Sequence, residues 1–221
     1  MKSWTFDTEE IANKFDAHVR EQLPWYDLVT DAVVYIARNY LPKKGVITEV
    51  GSSTGNMTKA FLDLFEEREG IKFQCIEVSK SMCDIFNKNI KNDYVNLINK
   101  DISKISDDEI SNAHVTILFL TMMFVPVEKR KKVFDLLVSK TTKGGCVIIV
   151  DKIIDHKGYF STVLKRLGMH FKLKQGAKPE EVLQKEMSLA GVQIPIDLDL
   201  LGNNAKEFFR MGEFAGWVIE V

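Results

Sequence analysis

The sequence predicts an α/β fold: a parallel sheet wrapped by helices on both faces, with a helical cap before it and a helical insert and closing hairpin after it. Three observations predict it. Short β-branched or apolar runs alternate with longer amphipathic stretches between residues 46 and 152. The pattern loosens after residue 152 and closes on an aromatic-rich ending. The length of 221 residues suits one domain, and 45% hydrophobic with 28% charged residues is an ordinary globular balance.

Residues 7–22 and 25–40 read as two helices interrupted near Pro24. In the second, Leu28, Val29, Ala32, Val33, Ile36 and Ala37 share one face. "LPKKG" breaks it, and "VITEV" (46–50) is a short strand. Residues 56–67 are helical, with Met57, Ala60, Phe61, Leu64 and Phe65 on one side. "KFQCIE" (72–77) is a strand, and residues 79–91 form a helix capped by Ser79. "YVNLIN" (94–99) is the next strand. "SDDEI" (106–110) starts a short helix with acids at its positive end. "HVTILFL" (114–120) is a buried strand. Residues 126–140 carry Pro and Glu in a first helical turn and lysine at the end. "KGG" is expected to end that helix before the strand "CVIIVDK" (146–152). Residues 156–175 and 179–190 look helical, and 208–221 reads as a hairpin.

The bulk numbers remove several classes. A formal net charge of -1 supplies no global field toward nucleic acid or membrane. Cys75, Cys83 and Cys146 are scattered, which supports neither a disulfide framework nor a zinc site, so no metal is expected. The charged start does not read as a signal peptide, and the longest apolar run is too short and mixed to span a bilayer. A cytoplasmic location with reduced thiols is expected.

"EVGSSTGNM" (49–57) carries the functional signal. Gly51 ends the first strand and Gly55 opens the first core helix, with Ser52 and Ser53 between them. Glycine permits a sharp turn and close approach of a ligand to the main chain. A helix amino end presents N–H groups that favour an anion. The loop is neither G-x-G-x-x-G nor a P-loop. Glu77 ends the next strand, where a carboxylate can accept from both hydroxyls of a ribose. Asp101 follows the third strand, where it can take an adenine amino hydrogen while Ile102 covers the ring. Together these residues describe a nucleoside pocket with an anion-binding corner. Singly, each also suits a plain turn, a helix-start charge or a cap.

This combination resembles the Rossmann-like, class I S-adenosylmethionine-dependent methyltransferases. Within them the chain is most similar to the carboxy-S-adenosylmethionine synthase family. The similarity runs through "FDAHVREQLPWYDLV", "EVGSSTGNMT", "IEVSKSM", "KDISKI", "LFLTMMFVPVEKRKKVFDLL", "KGGCVIIVDKI" and "FFRMGEFAGWVIEV". It implies a mainly parallel seven-stranded sheet with an antiparallel last strand. The units would be a helical cap (1–42), a cofactor-binding core (43–152), a lid or interface (153–205) and a closing hairpin (206–221). The cofactor would be S-adenosyl-L-methionine or its carboxylated derivative. Tyr26 falls where the family has a cofactor-binding tyrosine, Gly51 at the loop contact, Glu77 and Val78 at the ribose pair, and Asp101 and Ile102 at the adenine pair. The family makes the carboxylated cofactor from S-adenosylmethionine and prephenate, for tRNA wobble uridine modification, and the resemblance suggests a homodimer. Two positions depart: the family's asparagine after the fourth strand falls at Phe119, and its carboxylate-binding arginine falls at Glu186. Glutamate there repels a carboxylate, and the adjacent Lys185 is rotated about 100° on a helix.

The residues therefore point to a methyltransferase that uses ordinary S-adenosylmethionine on a small molecule or a tRNA nucleoside. The carboxylating synthase and a non-catalytic binding module are the alternatives. Methyl transfer from a sulfonium relies on alignment, with a base needed only when the acceptor must lose a proton. Tyr26, Thr121, Met122 and His156 are the candidates near the methyl, Tyr26 through its ring face. Tyr26 and Thr121 are taken as catalytic. The basic, aromatic stretch 157–174 suits a lid, an interface or an RNA contact. No D-P-P-Y-like run or Pro-Cys nucleophile is present, which argues against DNA base methylation.

Overall fold

The computed structural model describes residues 8–64, 70–153 and 158–221. Phe65, Lys157 and His156 lie outside the described residues. Seven strands form one sheet in the order β3-β2-β1-β4-β5-β7-β6. They are β1 (Val46–Val50), β2 (Lys72–Glu77), β3 (Val95–Asn99), β4 (Ala113–Phe119), β5 (Thr141–Lys152), β6 (Lys206–Met211) and β7 (Phe214–Glu220). The first five pair in parallel, whereas β7 runs antiparallel to both β5 and β6. The last strand is thus the reversed one, inserted between β5 and β6.

Helices α1 (Glu9–Gln22), α2 (Tyr26–Arg38), α3 (Asn56–Leu64), α4 (Lys80–Asn89) and α5 (Val127–Ser139) cover the sheet. Period-two alternation along the strands sorts the core into two layers. Ile47, Phe73, Cys75, Val115, Ile117 and Ile148 pack with Val29, Val33, Phe61 and Phe86 of α2, α3 and α4. Val50, Ile76, Leu118, Val147 and Ile149 face the other way, onto Val133, Phe134 and Leu137 of α5. Helix α4 is capped by the Ser79 hydroxyl, which accepts from the Met82 amide.

Two local expectations change. "KGG" does not end α5; that helix stops at Ser139, and β5 already begins at Thr141. The glycines lie inside the strand at a register shift, and a Cβ on Gly145 would sit 2.2 Å from the His114 carbonyl oxygen. Residues 106–110 form only a 3-10 turn, Asp107–Glu109.

Chain direction reverses its march across the sheet between β1 and β4. β2 and β3 lie to one side of β1, and β4 and β5 to the other. The connections leaving the carboxyl ends of β1 and β4 therefore turn to opposite sides, leaving the crevice where such sheets hold ligands. Helices α6 (Gly158–Lys174) and α7 (Pro179–Ser188) stand beyond β5. No helix among the described residues is long and apolar enough to cross a membrane.

Candidate functional site

The loop after β1 puts Gly51, Ser53 and Gly55 at φ +74, +51 and +92. Gly51 cannot carry a side chain, because a Cβ would lie 2.3 Å from Thr121 Oγ1. Gly55 faces inward instead, against Phe86 and Ile90. Four of the loop amides are taken up within the protein. Gly51 and Ser52 donate to the Ile76 carbonyl, Gly55 donates to the Ser52 carbonyl, and Ser53 donates to Glu77 Oε2 at 2.8 Å. The anion this loop holds is the protein's own: Glu77 Oε1 also accepts from the Ser79 amide at 2.9 Å. The carboxylate is fixed at the end of β2 by these two amides.

A crevice of about 140 Å³ opens beside this loop. Gly51, Ser52, Ser53, Glu77, Val78, Tyr26, Phe119 and Thr121 all line it, so most of the predicted site residues converge there. Val78 is exposed on the rim. Asp101 and Ile102 do not line it. Asp101 caps the turn after β3, accepting from the Ser103 amide at 2.9 Å, and Ile102 is buried against the α5 layer. Burial works to raise the Asp101 pKa, but the Ser103 hydrogen bonds with Lys104 and Lys129 outweigh it and leave it lowered. Gly55 shapes the loop without touching the crevice.

Tyr26 opens α2 almost fully buried. Its ring stands edge-on to Phe119 at 5.4 Å, and its hydroxyl lies 3.4 Å from Asn56 Nδ2. Burial pushes the phenol up to about 12, so it stays neutral. Thr121 lines the crevice with its hydroxyl turned to main chain. Its hydroxyl donates to the Val50 or Phe119 carbonyl, at 2.9 and 3.1 Å, and so braces the β1 and β4 ends with its proton committed to main chain.

Three contributors were missed. Glu49 lines the crevice from inside β1, almost fully buried, and accepts from the Thr58 hydroxyl. Burial pushes its carboxyl up to about 8, helped by Glu77 and opposed by Thr58. An acid set among β-branched residues in "VITEV" was the available signal. Asp16 of α1 accepts from Thr54 Oγ1 and Asn56 Nδ2 at 2.5 and 2.8 Å, tying the cap to the loop. Phe15 beside it walls the crevice. Nothing local in the sequence marks either, because both act across about 40 residues of chain.

Phe15, Leu120 and Phe124 also line a second chamber of about 340 Å³, larger but away from the glycine loop. Its walls come from α1, α6, α7 and the β6–β7 turn. Glu186 faces it with Lys172 Nζ at 2.9 Å and Lys152 Nζ at 4.0 Å. Burial alone would raise Glu186, but Lys172 and Lys152 outweigh it and hold the carboxyl lowered. Lys165 and Lys172 of the basic stretch line this chamber as well.

A crevice at the β1–β4 reversal, floored by a glycine loop and bounded by an acid after β2, defines a Rossmann-like, class I S-adenosylmethionine-dependent methyltransferase fold. Within that class the chain is similar to carboxy-S-adenosyl-L-methionine synthase of Staphylococcus epidermidis, 28% identical over 97% of this chain and 89% of the relative. A structure described as an S-adenosyl-L-methionine-dependent methyltransferase from Methanococcus maripaludis superposes with TM-score 0.60. It is 16% identical and covers 100% of this chain and 96% of its own. DhpI, solved as a complex with SAH, superposes at 0.59 with 15% identity, over 95% and 91%. No protein-family profile matches the chain.

Proposed function

We propose that the chain is an S-adenosylmethionine-dependent methyltransferase acting on a small molecule or a tRNA nucleoside. One observation carries the reading. The Glu77 carboxylate, fixed by the Ser53 and Ser79 amides, lines the crevice together with Ser52, Ser53 and Tyr26. A carboxylate fixed at the end of the second strand suits the two hydroxyls of a ribose.

Bound there, the cofactor supplies a methyl on a sulfonium with a neutral leaving group. Glu77 accepts from the ribose hydroxyls. Glu49 lies beneath, its carboxyl raised to about 8 by burial. Tyr26 and Phe119 present apolar ring surface that excludes water from the reacting centre. Asp101 and Ile102 extend the site along the β3 end toward the base. The larger chamber, reached past Phe15, Leu120 and Phe124, is the place for the acceptor.

The names of the curated relatives favour a second reading, the carboxylating synthase. Glu186, held ionised by two lysines, opposes it, since a carboxylate brought to that position meets a carboxylate. Incubation with S-adenosylmethionine and prephenate, followed by mass spectrometry of the cofactor, separates the two. The methyltransferase reading expects no carboxylated cofactor; a gain of one carboxyl group overturns it.

A further inference from the structure

Lys185 of α7 lines the larger chamber with its Nζ 2.5 Å from His18 Nε2 on α1. The neighbouring amines have acids. Lys172 holds Glu186, and Lys152 lies between Glu186 and Glu213, the latter at 3.7 Å. Among the described residues Lys185 makes no ion pair with a carboxylate, and its only polar partner is another base. Lys185 is part-buried, and an ammonium shielded from water without a counter-ion gives up its proton more readily or gains an anion. Burial first, then Lys172, pushes Lys185 down to about 8 against the pull of Glu186. His18 is lowered by burial and then by Lys185 and Lys172, with Glu21 opposing. Lys14 and Lys165 add positive charge to the same walls, and Glu10 holds Lys14 at 2.9 Å. The other walls include Phe15, Trp25, Phe124, Phe171 and Phe214, faces suited to a flat ring.

We propose that the chamber takes an aromatic molecule bearing an acidic hydroxyl, a phenol, whose proton passes to the Lys185–His18 pair and whose oxyanion Lys185 holds. The inference rests on the transferase reading and names its acceptor. A carboxylic acid arrives already ionised and needs no base. An aliphatic alcohol is too weak an acid for either nitrogen. A phenol, with a pKa of about 10, lies within reach of a part-buried amine. In the transfer the O–H proton moves to the pair, an oxygen–carbon bond forms and the carbon–sulfur bond breaks. The sulfur keeps the electron pair as a neutral thioether, and the pair later releases its proton to solvent.

The test uses 4-nitrophenol, whose anion absorbs visible light, with no methyl donor present. The wild type should bind it and shift its ionisation to lower pH. Lys185→Met should abolish that shift and weaken binding about tenfold or more. Lys185→Arg, which keeps the charge, should still hold the anion. Calorimetry with S-adenosylhomocysteine on the same preparations reads the crevice separately. No heat there with a preserved probe shift would sink the transferase reading and leave the chamber assignment standing. A wild type that does not bind the probe, a Lys185→Met chain that ionises it like wild type, or a Lys185→Arg chain that loses it overturns the inference.

Discussion

Glu77 does two jobs with one carboxylate. It closes the loop by accepting from the Ser53 and Ser79 amides, and it faces the crevice. Glu77→Ala should therefore weaken S-adenosylhomocysteine binding by a few kcal/mol, roughly 100-fold, with a fall in thermal midpoint. Calorimetry checks the first part; an affinity equal to wild type removes Glu77 from the site. Glu49 gives a pH signature. Its carboxyl is raised to about 8 from an ordinary 4.5, so the folded chain keeps a proton that the unfolded chain has lost. This contribution to stability is present below about pH 4.5 and is lost as the pH climbs to about 8. Glu49→Gln removes the loss, so its stability relative to wild type should improve by a few kcal/mol between pH 5 and 8. Urea titrations at the two values would show it, and a constant difference would refute it. At this scale the sequence was legible where chemistry and position coincide, as for Gly51 and Glu77. It was not legible for Asp16 or the hydroxyl of Thr121, whose partners are set only when distant elements pack.

The strand and helix pattern read well because each core element buries one face, and burial imprints a period of two or 3.6 on the residues. It failed at "KGG", where glycine serves a register shift against His114 and not a helix end. The insert after β5 gave the weakest pattern. Its attachment depends on main-chain acceptors that composition cannot show. Arg130 of α5, almost fully buried, donates to the carbonyls of Met123, Val125, Ile194 and Pro195. It thereby fastens the segment after α7 to the turn after β4. Arg130→Met should destabilise the fold by about 3 kcal/mol, through lost charge-assisted bonds and stranded carbonyls. Chemical denaturation measures this, and a change under 1 kcal/mol would mean the guanidinium is dispensable.

Across the whole molecule, the reversal of strand order makes the crevice, and the cap and insert build the chamber beside it. The two cavities share Phe15, Leu120 and Phe124, so donor and acceptor would approach through one wall. The class of fold was readable from alternation and the glycine loop; the chamber was not, since α1, α6 and α7 contribute to it from opposite ends of the chain. The central claim is that the crevice binds an adenosyl cofactor between the glycine loop and Glu77. A crystal structure of the chain soaked with S-adenosylhomocysteine tests it most directly. The account predicts ribose hydroxyls on Glu77 and the adenine beside Asp101 and Ile102. A ligand bound elsewhere, or none at saturating concentration, would contradict it.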